Sequence, residues 1–336
     1  QEAHASRQVE SARVRAQREG RIASALREEL DRVEKALGVA LDLSRPLPSV
    51  PVRGRPSLGS KQACPIVIAS DWHVGERVLA SHVNGLNEYG PDIARARARR
   101  FAEGILWLLD THRTGTTIDE MVLGCIGDFI TGWIHEELQS GNELTPLEET
   151  WLAQELLHEL LVTLLRRSKL KRIRIVCTRG NHGRTTKTTY INAAARTSFE
   201  WLMYRTLAMT FKKESRLIFT IEDGYHTYLD VYDKVARFSH GDAVSYQGGV
   251  GGVTIPLTKH IARTNRARRA DLDCLGHFHV LTLTGSAAIN GSLIGWNDFA
   301  GWIGASPEPP QQAWLLMRPG RGLSDFAPIF VEDRKG

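Results

Sequence analysis

Asp71-Trp72-His73, Gly127-Asp128, Gly180-Asn181-His182, Ser239-His240-Gly241-Asp242 and Gly276-His277-Phe278-His279 gather carboxylates, imidazoles and one amide at five points of the chain. Asp71, His73, Asp128, Asn181, His240, His277 and His279 make a mixed oxygen–nitrogen ligand set. Such a set suits Mn²⁺, Fe or Zn²⁺ better than Ca²⁺ or Mg²⁺ alone. A carboxylate such as Asp128 can bridge two cations. Two cations about 3.5–4 Å apart clamp the attacking and leaving oxygens of a phosphoryl displacement. His182, beside Asn181, is left over as an acid.

Four of the five stretches follow apolar runs that read as strands. Ile66 to Ala69 leads into the first, Met121 to Ile126 into the second, Ile173 to Cys177 toward the third and Leu272 to Leu275 into the fifth. The fourth follows a more mixed segment, Tyr228 to Phe238. Strand ends in an α/β sheet present side chains to a crevice, so loops far apart in sequence can meet at one sheet edge.

The order D-x-H, GD, GNH, H, GHxH resembles the calcineurin-like metallophosphoesterase superfamily, over Asp71 to His279. The resemblance implies a two-sheet α/β sandwich flanked by helices. It implies one metal held by Asp71, His73 and His279, another by Asn181, His240 and His277, and Asp128 bridging them. The expected cofactors are two divalent ions, Mn²⁺ first, with Fe, Zn or Mg as alternatives. Hydroxide held by the metals would attack phosphorus, and His182 would protonate the leaving oxygen. The sequence departs from the family pattern twice. Gly183 stands where relatives carry the acidic residue that orients the histidine, and Asp242 is a candidate substitute. Thr131 stands where relatives carry His or Asp, and His135 is a candidate to reach the site.

Within the superfamily the chain looks most like double-strand-break-repair nucleases of the meiotic-recombination-eleven and SbcD type, including phage-encoded relatives. The features behind this are the basic balance, the cations after GNH and a leucine-rich segment. DNA is therefore the expected partner, bound by Arg184 and Lys187, with Arg263, Arg266, Arg268 and Arg269 extending a basic rim. A small-molecule phosphodiesterase or a nucleic-acid end phosphatase is the alternative. The phosphatase patterns GDxxDRG and GNHE are absent.

The remaining chain frames this centre. Its 336 residues, 42% hydrophobic, suffice for one large α/β domain with appendages. A net charge of +5 favours an acidic partner and says nothing about fold. Cys64, Cys125, Cys177 and Cys274 form no CxxC pair and read as buried hydrophobes of a reducing compartment, hence a cytoplasmic expectation. No apolar run approaches membrane-helix length, and no signal-peptide pattern opens the chain. The first residue is Gln1 rather than Met, which leaves room for a segment upstream.

Residues 1–42 read as an amphipathic helix, with Ile22, Leu26, Leu30, Val33 and Leu37 at helical spacing. This stripe is a candidate homodimer contact. Residues 43–61, with closely spaced prolines and arginines, read as a linker. Residues 62–336 form the catalytic domain, with a helical insertion around 135–170 opened by the capping box Thr145-Pro146-Leu147-Glu148. A further helix is expected over Asp92 to Leu109.

Overall fold

A computed structural model of the chain describes residues 20–34 (22 excepted), 61–134, 136, 138–245 and 252–332. The chain divides into two compact units, Gln1–Ser57 and Leu58–Gly336. In the first, residues 20–34 (22 excepted) form helix α1. The rest of the expected N-terminal helix lies outside the described residues, as do the linker up to residue 60 and His135.

The second unit is the expected α/β sandwich. Its first sheet has the order β11-β10-β1-β2-β3-β4, built from β1 (Cys64–Ala69), β2 (Glu120–Cys125), β3 (Arg172–Cys177), β4 (Leu217–Ile221), β10 (Gln311–Arg318) and β11 (Gly322–Phe330). β1 to β4 run parallel, and β10 returns antiparallel against β1. The second sheet has the order β5-β6-β7-β9-β8, from β5 (Thr227–Val231), β6 (Lys234–Phe238), β7 (Leu272–Leu275), β8 (Thr282–Leu283) and β9 (Ala287–Ile289). β6, β7 and β9 are parallel.

Alternation along the strands explains the layering. Ile66, Ile68, Val122 and Val176 face the second sheet and pack with Phe238, Cys274 and Ala288. Val67, Leu123, Ile173 and Ile175 face the other way. They meet Phe101, Ile105 and Leu109 of α2 (Pro91–Arg113) and Leu152, Leu156 and Leu160 of α4 (Pro146–Arg167). Met203 and Leu207 of α5 (Phe199–Thr210) join the same layer. On the far face of the second sheet, Leu257 and Ile261 of α6 (Thr254–Thr264) pack on Leu275, Ala287 and Ile289.

The segment around 135–170, expected as a helical insertion, holds two helices, α3 (Leu138–Gly141) and α4. Parallel strands require a long crossover, usually helical. α4 lies on the crossover between the parallel neighbours β2 and β3. The capping box is present: the Thr145 side chain accepts from Glu148 N–H, and the Glu148 carboxylate accepts from Thr145 N–H at 2.8 Å. The mixed segment before His240 is a hairpin, β5–β6. Its odd residue, Arg237, is buried because it makes a paired bond with Asp273 on β7 at 2.6 and 3.0 Å.

All four cysteines are free and buried. Burial pushes the Cys64 thiol up to about 12, and the Cys177 and Cys274 thiols also upward. Burial thus favours the protonated form of Cys64, Cys177 and Cys274, and the thiol is a poor nucleophile. Among the described residues no helix is long and apolar enough to cross a membrane.

Candidate metal centre

The five motif loops leave the C-terminal ends of β1, β2, β3, β6 and β7. The first two loops continue the ladder of their strands: Asp71 N–H donates to the Gly127 carbonyl, and Trp72 and His73 N–H to the Asp128 carbonyl. Trp72 turns into the helix-side core against Phe101 and Phe129, which leaves its neighbours Asp71 and His73 facing the site. Asp71, His73, Asp128, His277 and His279 all adopt positive φ, between 48° and 71°. Left-handed backbone at non-glycine residues costs of order 1–3 kcal/mol each and clusters at functional sites. Here five such residues are five of the seven expected ligands.

Two groups within this edge can each hold a metal ion. In the first, Asp71, His73 and His279 place their donor atoms within 4.8 Å of one another. His279 Nε2 lies 3.4 Å from Asp71 Oδ1. Asp71 accepts from Ser70 Oγ–H and from His277 N–H, and Asn290 Nδ2 in turn donates to Ser70 Oγ at 2.9 Å. Burial would raise the Asp71 carboxyl, but His279 and His240 hold it below its ordinary range. His73 is the residue whose surroundings best fit a cation. Its ring is buried and, among the described residues, neither nitrogen has a hydrogen-bond partner, although buried polar groups are nearly always paired. Burial, with His182 and His279 nearby, keeps His73 neutral by lowering its pKa well below the usual value. A neutral imidazole is the form that binds metal.

The second group joins Asp128, His240 and His277. His240 Nδ1 sits 2.9 Å from the Ile126 carbonyl, and Nε2 faces Asp128 Oδ2 at 2.8 Å and Asn181 Oδ1 at 3.1 Å. A donor hydrogen bond from one ring nitrogen fixes the other as ligand. Burial, then His240, push His277 down to about 4, so it too is neutral. Burial would raise Asp128, yet His240, His182 and His73 hold it well below its usual range. The donor set suits divalent cations: the Asp71 and Asp128 carboxylates are held ionised, His73 and His277 are neutral, and the buried His73 imidazole lacks partners among the described residues.

His240 and His279 are the exceptions: burial would lower His279, but Asp71 raises it above its ordinary value, and His240 yields a pH prediction. Burial alone would depress it, but the Asp128 carboxylate, with Asp71 and Asp242, pushes it up to about 10. At pH 7–9 the metal-free chain therefore carries a proton on His240 that a metal must displace. Mn²⁺ binding at pH 8 is expected to release at least one proton per chain. Affinity should rise about tenfold per pH unit until about pH 10. Calorimetry in two buffers of different ionisation enthalpy measures this, and proton release near zero would refute the His240–Asp128 pairing.

His182 lies against the same cluster, its ring edge-on to His73 with centroids 4.8 Å apart. Its N–H donates to Asp128 Oδ1 at 2.8 Å, and Nδ1 is 2.8 Å from the Thr131 carbonyl. That carbonyl takes the orienting role sought in Asp242. The Asp242 carboxylate instead accepts from Tyr225 O–H at 2.6 Å, and the same hydroxyl oxygen accepts from Gly241 and Ala243 N–H.

The cationic candidates fall apart in space. Lys187 is exposed on the loop after His182. Arg184, on the same loop, donates to the carbonyls of Asn181, Thr186 and Lys187, so much of its guanidinium braces the loop. Arg266, Arg268 and Arg269 precede β7, whereas His277 and His279 follow it, so the expected basic rim is cut to its first two members. Arg268 stacks over the Tyr228 ring at 4.1 Å. Sequence reasoning missed Tyr225 and two buried glutamates, Glu149 and Glu200. The only signal for the glutamates was Gly183, which lacks the family's acid.

No family model matches the sequence, and no curated protein matches it. Solved structures do resemble the chain. Vacuolar Protein Sorting 29 from Cryptosporidium parvum is 14% identical with a TM-score of 0.33, covering 80% of this chain and 97% of that one. Vps29 complexed with Zn+2 from Entamoeba histolytica is 10% identical with a TM-score of 0.33, covering 79% and 99%. A predicted phosphoesterase from Streptococcus pneumoniae TIGR4 is 11% identical with a TM-score of 0.28, covering 79% and 98%. Likenesses this distant transfer no residue role to this chain.

Proposed function

We propose that the chain is a two-metal phosphodiesterase acting on DNA. The carrying observation is the pair of adjacent three-ligand groups, with the buried, unpartnered His73 ring in one of them. Asp71, His73 and His279 would hold one ion, Asn181, His240 and His277 the other, and Asp128 would be shared. Mn²⁺ is the expected ion, since imidazole and carboxylate donors are mixed. Such ions supply positive charge against a phosphoryl oxygen and lower the pKa of water from 15.7 toward about 7. The chain's own contribution is to fix the ligands, keep them deprotonated and hold His182 where a leaving oxygen needs a proton.

The DNA part of the proposal rests on the rim. Lys187 is cationic and exposed beside the site. Trp133, Tyr190, Phe299 and Trp302 are exposed as well. Trp133 follows the Asp128 loop and Tyr190 the His182 loop. Phe299 and Trp302 lie on α7 (Asp298–Trp302), beyond the C-terminal end of β9, which is parallel to β7. All four thus sit on segments leaving the metal edge. Aromatic faces bind unpaired bases without sequence preference, at about 1–3 kcal/mol per base. Single-stranded DNA or frayed ends fit this rim better than rigid duplex.

The reduced set of cations favours the small-phosphodiester alternative, so the test must separate the two. Cleavage of single-stranded DNA and of a nitrophenyl phosphodiester is measured with saturating Mn²⁺ from low to moderate salt. Contacts by Lys187 and Arg184 predict a log–log slope of about −0.7 per phosphate neutralised for DNA, and almost none for the small ester. If DNA is not cleaved, or its cleavage is no more salt-sensitive than the small ester's, the small-phosphodiesterase reading replaces this one.

A further inference from the structure

Behind the ligands lie two buried carboxylates, each in the first turn of a helix. Glu149 of α4 accepts from Gly132 N–H at 2.7 Å and from the Asn142 amide at 2.8 Å. Glu200 of α5 is more informative. One oxygen accepts from Phe129 N–H and the other from Gly180 N–H, both at 2.7 Å. Phe129 follows Asp128, and Gly180 precedes Asn181. A single carboxylate thus ties the loop leaving β2 to the loop leaving β3.

The surroundings of Glu200 are arranged for this contact. Its side chain is fully buried and forms no ion pair with a Lys, Arg or His among the described residues. α5 docks on the same loop, with Phe199 N–H donating to the Gly183 carbonyl at 2.8 Å. A Cβ on Gly183 would stand 2.7 Å from Glu200 Cγ. Glycine after His182 is therefore what admits the carboxylate. A buried ionisable group held only by main-chain donors is costly to bury, so its place between two ligand loops calls for a role there.

We infer that Glu200 is a positioning residue that sets the separation of the Asp128 and Asn181 loops, and through it the affinity of the second metal site. This rests on the two-metal reading above. A carboxylate can accept from two N–H groups at once, one on each oxygen. Glutamine of the same shape can accept only one and turns its own N–H₂ toward the other, which pushes one loop away. Apart from the shared Asp128, the first site takes its ligands from the loops after β1 and β7, which Glu200 does not touch, whereas the second takes both Asp128 and Asn181 from the two loops that Glu200 holds.

The test titrates Mn²⁺ into the full chain and into Glu200→Gln, by calorimetry and by electron paramagnetic resonance, which distinguishes isolated from coupled Mn²⁺ pairs. Loss of an outer-shell partner typically lowers metal affinity about 10–100-fold. Glu200→Gln is expected to bind the second ion about 10–100-fold more weakly, to weaken the first, which shares only Asp128 with the held loops, by clearly less, and to lose the coupled signal at limiting Mn²⁺. Gly183→Ala, which keeps the carboxylate but crowds it, should weaken the same site, and it decides the matter if Glu200→Gln does not fold. Two wild-type affinities in the deciding variant, or equal weakening of both, would overturn the inference and leave the metal centre intact. A wild-type chain that takes up no Mn²⁺ would overturn the two-metal reading itself, and this inference with it.

Discussion

Asp128→Asn is expected to leave a folded chain with at most one bound metal and phosphodiester turnover at background. On the two-metal reading this carboxylate is the ligand common to both ions. Oδ2 lies 2.8 Å from His240 Nε2, while Oδ1 accepts from His182 N–H. Removing its charge weakens the hold on both ions and leaves His240 without the anion that raises its pKa. Asparagine suits the test because it tolerates the left-handed backbone, φ 53°, that Asp128 adopts. The fold should therefore survive a change that alanine would strain. Without two ions, water keeps a pKa near 15.7 rather than about 7. The loss should exceed the about 10²–10³-fold that one missing electrostatic contact costs. Metal content by elemental analysis, thermal unfolding and turnover of a nitrophenyl phosphodiester check the three parts. A variant that keeps two ions and more than a tenth of wild-type turnover would show that Asp128 is not shared.

The candidate ligands could be picked out from the sequence because each follows a strand, and strand ends converge by topology. The backbone that aims them was not. Asp71, His73, Asp128, His277 and His279 adopt positive φ without being glycine, and nothing in a residue's type announces that. Glu149 and Glu200 were hidden for a related reason. Acidic residues in a helix's first turn ordinarily complement the helix dipole, and only the folded chain shows these two turned inward onto loop N–H groups. The segment carrying Arg237 read only as mixed, because the partner that lets Arg237 be buried, Asp273, lies on a different strand. Chain direction also decided the arginines. Arg263 to Arg269 sit near His277 in sequence, but β7 intervenes and carries the histidines to the opposite end. The α4 segment looked like an insertion since a leucine stripe cannot reveal that it bridges two parallel neighbours.

His182→Ala should keep both metals and lose activity selectively, according to the leaving group. The ring is held at one nitrogen by the Thr131 carbonyl, 2.8 Å from Nδ1, which leaves Nε2 for a substrate oxygen. Burial lowers the His182 pKa below its usual value. Asp128 and the Thr131 carbonyl oppose that shift, while His240 and His279 add to it. The acid form therefore dominates only below the ordinary histidine range. For a deoxyribose or alkyl leaving group, kcat should fall as pH rises through that lowered pKa, and the alanine variant should lack this limb. General-acid assistance is worth about 10²–10⁴-fold for such groups and little for one that departs as a stable anion. The expected result is a loss of about 10²–10⁴-fold on DNA or an alkyl ester, with nitrophenyl turnover nearly unchanged. Metal content must be measured in the same preparation, because His182 N–H also touches Asp128 and a shifted loop would mimic the loss. Equal losses on both substrates, with both metals retained, would show that His182 serves the site by position and that the leaving oxygen takes its proton from elsewhere.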